Sequence, residues 1–122
     1  MAKTIAKILG IVLLLVGILG FTTVLAPLHA HLNPAHNAVH IVSGIIALYF
    51  GFAGSMSAAR GFDLVFGAVY LLLGVVGYLV GDAANMHMLH IGPLMFGNMD
   101  HIIHIAVGIL FLIGGLMTGP ES

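Results

Sequence analysis

The chain has 122 residues, 61 % of them hydrophobic and 6 % charged, with a formal net charge of −1. A soluble domain carries about 25 % charged residues, so this composition excludes a water-facing surface and points to an integral membrane protein. Three basic residues give no footprint for nucleic acid, and the lack of cysteine excludes disulfides, thiolate metal sites and iron–sulfur clusters.

A bilayer core about 30 Å thick needs roughly 20 helical residues to cross. Four apolar stretches approach that length, near 5–25, 38–56, 64–80 and 102–117. Backbone groups in lipid must be satisfied within the segment, which makes these stretches helices. The first, with Lys3 before it and Lys7 near its start, resembles a secretion signal, but it is longer than such a core and no small-x-small site follows it. It is expected to remain as a span. Residues 1–122 are thus expected to form a single integral membrane domain.

The two halves of the chain repeat each other. The pattern G-x-V-x-L-L-x-G-x-x-G-[FY] runs from Gly10 to Phe21 and again from Gly67 to Tyr78, an offset of 57. The pattern H-I-x-x-G-I-x-x-L-x-x-G starts at His40 and again at His104, an offset of 64. Repeat one covers about 5–56 and repeat two about 62–117. Each half has an even number of spans, so both enter the membrane in the same sense, as a parallel repeat. The expected fold class is all-α: a four-transmembrane-helix bundle built from two parallel-repeat helical hairpins. Glycines two turns apart, such as Gly10 and Gly17 or Gly67 and Gly74, lie on one helix face and permit close packing.

Lys3, Lys7 and Arg60 carry all the basic charge. Basic residues stay cytoplasmic, so both termini are expected inside, with the connections 26–37 and 81–101 outside. The expected location is the inner (cytoplasmic) membrane of the cell, with the lipid bilayer as the first partner. A homo-oligomer or a place in a larger membrane complex would suit so small a chain.

That orientation gathers eight histidines near the outer face, at 29, 31, 36, 40, 87, 90, 101 and 104. Histidine titrates near neutral pH and is the commonest metal ligand. Asn33 is a good N-cap and Pro34 fits the first helical position, which puts His36 and His40 at i, i+4 on one face. Asn98 or Asp100 can cap the last span, with His101 and His104 at i, i+3. These four histidines are the core metal candidates, with Asp100 as a direct or supporting ligand. His87 and His90, with Met86 and Met88, make an outer candidate set, since mixed thioether and imidazole suits copper and imidazole alone also suits zinc. For His29, His31, His87 and His90 in the loops, the plainer reading is an ordinary interfacial histidine. A haem or chlorophyll held by His40 and His104 is the alternative, against which stand few large aromatics and no arginine for haem propionates.

Enzymatic activity is not expected. Ser43 lies within a turn of His40, but a helical serine usually bonds back to its own backbone. Asp63, Asp82, Asp100 and Glu121 all read as lying at span ends or in loops, away from where a proton-coupled carrier would need them. The function expected from the residues is a membrane protein whose extracytoplasmic His/Met cluster binds copper or zinc. The alternative is an accessory subunit of a larger membrane complex, binding haem or chlorophyll.

The stretch from Asn33 to Gly44, with N-x-x-H-N-x-x-H, and the stretch from Asp100 to Gly108, with D-H-x-x-H, resemble the hallmarks of an uncharacterised family of small four-span bacterial membrane proteins, a domain of unknown function. The resemblance covers nearly the whole chain. It implies a four-helix membrane bundle in a bacterial cytoplasmic membrane and no particular activity. Met86-His87-Met88 departs from that pattern.

Overall fold

The computed structural model describes residues 1–23, 33–85 and 87–117. In chain order it contains α1 (Ala2–Leu19), α2 (Pro34–Phe52), α3 (Met56–Val80), β1 (Leu89–Ile91), β2 (Leu94–Phe96) and α4 (Asn98–Leu116). All four helices are long and apolar enough to cross a membrane, which marks a multi-pass membrane protein.

The helix ends follow local chemistry. Thr22 Oγ1 donates to the Leu19 carbonyl at 2.6 Å just past the end of α1, so this helix stops earlier than hydropathy alone predicts. Ser55 caps α3 by accepting from Ala58 N at 3.1 Å. That cap carries Arg60 and Asp63 into the helix, where a reading by apolar runs leaves them in a connection. Between α3 and α4 the chain folds into a short antiparallel hairpin, β1 pairing with β2 from Leu89–Phe96 to Ile91–Leu94. Gly92 turns it with a φ of +58°, at the first central position where a two-residue hairpin loop favours glycine. Hydropathy gave no sign of this hairpin.

The bundle is built with large aliphatic side chains outside and small or polar ones inside. Leu72, Leu79, Val65 and Ile102 are exposed, as lipid contact requires. The buried faces of the helices hold glycine and alanine along with His36, Asn37, His40, Asp63, Asp100, His101 and His104. Lipid tails are as apolar as leucine, so close packing of backbones has to hold such helices together.

Glycine provides that packing within each hairpin. A Cβ added to Gly44 of α2 would lie 2.7 Å from Leu14 N of α1, and one added to Gly108 of α4 would lie 2.5 Å from Leu71 N of α3. The reciprocal contacts match as well. A Cβ added to Gly17 would lie 2.8 Å from Ile41 N, and one added to Gly74 would lie 2.9 Å from Ile105 N. Each contact in the first hairpin has a counterpart at the offsets of 57 and 64 in the second. Where the hairpins meet, Phe62, Phe111 and Tyr70 form a buried core with Phe50 and Phe66 packed against it. Phe62 stacks near Phe66 with ring centroids 4.3 Å apart.

Gly108→Ala is therefore expected to force α3 and α4 apart and destabilise the protein by about 1–3 kcal/mol, the usual cost of overpacking. Gly61→Ala, whose Cβ would meet nothing within 4 Å, should be neutral or stabilising by up to ~1 kcal/mol through helix propensity. Thermal unfolding of the two variants in one detergent checks the contrast.

Candidate metal centre

The first turn of α2 is fixed from both sides of its cap. Asn33 Oδ1 accepts from His36 N at 2.8 Å, and Asn33 Nδ2 donates to the Pro93 carbonyl at 2.8 Å. The cap thus starts the helix and ties it to the β-hairpin turn. At the first turn of α4, Asp100 Oδ2 accepts from Gly97 N at 2.8 Å, so Gly97 is the N-cap residue and Asp100 closes the turn from inside the helix.

These two helix starts bring His36, His40 and His104 together. One ring nitrogen from each lies within 4.8 Å of the others. The rings of His36 and His40 are 4.2 Å apart, and those of His36 and His104 are 5.9 Å apart. All three side chains are buried, with 2–5 % of their surface exposed. Among the described residues the Nδ1 atoms of His40 and His104 have no hydrogen-bond partner, as is also true of His101 Nδ1 and Asn37 Oδ1. Buried polar atoms are nearly always satisfied, so each such orphan calls for an explanation. Asp100, also buried, is near enough to act electrostatically on both His40 and His104.

Phe96 closes the site from the hairpin side. It is buried, with its ring edge-on to His36 at 5.0 Å and to His104 at 4.9 Å. On the inner side, Tyr70 of α3 lies 5.7 Å from the His104 ring. Neither Phe96 nor Tyr70 was singled out by sequence, since isolated aromatics carry no spacing signal.

The other predicted residues go elsewhere. His101 turns toward α3, where its ring fills the space beside Gly77 and its Nε2 lies 2.8 Å from the His87 carbonyl. His87 stacks on Tyr78 at 4.0 Å, and its Nδ1 lies 3.0 Å from the Tyr78 carbonyl. These two histidines fasten the connection before the hairpin to α3 and α4. His90 is exposed on β1, paired with Met95. The Met88 carbonyl accepts from Asp82 N at 2.9 Å. Met86, His29, His31 and Glu121 lie outside the described residues.

The repeat offset of 64 explains the division. It aligns His40 with His104 and His36 with Asp100, whereas His101 aligns with Asn37. Asn37 packs against Gly20 as His101 packs against Gly77. His36 and Asp100 therefore hold equivalent places around the site, and His101 holds a place on the helix-packing face. Applying the offset to every polar residue would have separated the two from sequence.

Asp63, expected at a span end or in a loop, lies in the second turn of α3 and is fully buried.

The model of one protein family, described as a domain of unknown function (DUF4383), matches residues 3–117. The chain belongs to this family. No curated protein and no solved structure matches it. The family assignment agrees with the uncharacterised family that the histidine motifs resemble, and it carries no activity to the site.

If His101 serves packing, His101→Ala should lower stability by about 1–3 kcal/mol, the cost of leaving a buried carbonyl partner unmet, and leave metal uptake unchanged. Thermal unfolding together with metal titration of the variant checks both outcomes.

Proposed function

We propose that this protein holds a divalent transition-metal ion, zinc in the first instance, on His36, His40 and His104, with Asp100 as a fourth or supporting ligand. The observation that carries this reading is the convergence of three buried imidazoles from two helices, with the Nδ1 atoms of His40 and His104 left unpartnered. Zinc–nitrogen bonds of about 2.0–2.1 Å place tetrahedral ligand atoms roughly 3.4 Å apart. Closing from separations within 4.8 Å asks only for small side-chain movements. Ionisable residues at membrane depth are functional by default.

The donor set favours zinc over cuprous ion. The trio offers imidazole and a neighbouring carboxylate, while the thioether of Met88 belongs to the connection that His87 fastens. Imidazole and carboxylate suit zinc, whereas cuprous ion prefers sulfur. An ion also fits better than haem or chlorophyll, because His36 and Phe96 fill the space beside His104 that a macrocycle would need.

The basic residues Lys3, Lys7 and Arg60 lie near the starts of α1 and α3, and the trio lies near the starts of α2 and α4. In an alternating bundle these are opposite ends. The positive-inside rule then sets the metal centre on the extracytoplasmic side of a bacterial cytoplasmic membrane.

Protein purified in mild detergent and given zinc should retain close to one ion per chain through desalting, measured by elemental analysis. His40→Ala and His104→Ala should each lower affinity by at least tenfold, since loss of supporting partners alone costs 10–100-fold, while His90→Ala should match wild type. Retention should fall as pH drops, because protons compete for the imidazoles. Wild-type protein that takes up no zinc, copper or iron on titration would overturn the proposal.

A further inference from the structure

At the far end of the same core, Asp63 presents a second polar site. The side chain is fully buried, and among the described residues neither Oδ1 nor Oδ2 has a hydrogen-bond partner. It packs where α1, α3 and α4 meet. A Cβ on Gly114 of α4 would lie 2.8 Å from Oδ2 and 2.9 Å from Ile5 of α1. Seven residues along α3, about 10 Å by helical rise, Tyr70 reaches the metal centre. Phe62, Phe66 and Phe111 fill the space between.

Packing does not require a carboxyl here. At the offset of 57 the counterpart of Asp63 is Ala6, which is equally buried. An ionised carboxylate without partners is far costlier to bury than a neutral one, so such groups hold a proton instead. Among the described residues no charge supplies a hydrogen-bonding partner. The amino group of Met1, just before α1, acts on Asp63 electrostatically without a hydrogen bond to it, and Lys7 Nζ lies 4.9 Å over the Phe52 ring. Lys3 is on the same helix. Arg60 precedes Asp63 by three residues on α3, yet makes no hydrogen bond to it. The nearby end of α4 carries no basic or acidic group. Asp63 also belongs to no group of metal-ligating side chains among the described residues, and hard cations need several oxygens. A proton needs only one.

We propose that Asp63 is a proton-binding site, a carboxyl that carries its proton within the membrane-spanning bundle at neutral pH. It is independent of the metal centre.

Infrared spectra of the full-length wild type and of Asp63→Asn at neutral pH test this. The wild-type-minus-variant difference should contain the carbonyl stretch of a protonated carboxylic acid, unchanged by adding or removing zinc. A difference showing carboxylate bands instead would mean that Asp63 is ionised, and would overturn the proposal. Asparagine matches the neutral acid in shape, and Asp63→Ala, which copies Ala6, provides the same subtraction. Should neither variant fold, dicyclohexylcarbodiimide decides on the wild type. A protonated carboxyl adds across the carbodiimide, its proton passing to nitrogen, and rearranges to an N-acylurea that keeps the whole reagent. A peptide containing Asp63 heavier by one reagent molecule is expected. Asp63 left unmodified, alongside the absence of any protonated-acid band in the wild-type spectrum, would overturn the proposal.

Discussion

Backbone contact through glycine is the constraint on which the rest of the molecule depends. Gly10, Gly17 and Gly44 let α1 and α2 approach until main-chain atoms touch, and Gly67, Gly74 and Gly108 do the same for α3 and α4. Three contacts spaced along each hairpin leave little freedom to slide or rotate. They fix how high α2 stands against α1 and α4 against α3. The first turns of α2 and α4 then come to one level, and His36, His40 and His104 meet there although they belong to different hairpins. A bundle held by interdigitating leucines would tolerate shifts of register that this site would not survive.

The same packing decides what the interior can contain. Because lipid takes the large aliphatic residues, small residues dominate the inner faces, and room is left for polar groups. Imidazoles and carboxyls concentrate near the ends of the core, and phenyl rings hold its middle. The polar groups divide into those that join elements and those left unmatched. Asn33, His87 and His101 tie the hairpin to the helices. Among the described residues His40, His104 and Asp63 keep buried atoms without partners, as do His101 Nδ1 and Asn37 Oδ1 on the helix-packing face, and those of the first three bear on both functional readings.

The four spans and their type were legible because continuous apolar runs of nearly spanning length fit helices, whereas barrel strands would alternate. His40 and His104 were legible because H-I-x-x-G-I occurs twice. Helix starts were less so. Hydropathy places the beginning of α3 after Asp63, but the Ser55 cap sets it at Met56, because a cap is a local hydrogen bond that an apolar average does not register. His101 was grouped with His104 by proximity in sequence, whereas its helical face puts it against Gly77. Phe96 was invisible, since its role depends on a three-residue strand whose pairing rests on a turn rather than on any apolar run.

That strand has a kinetic consequence. Phe96 seals the trio, and the hairpin bearing it is anchored to α2 through Asn33 and runs directly into α4. An ion held beneath would have to pass this ring to leave on the hairpin side, so trimming Phe96 to alanine would shorten its residence time.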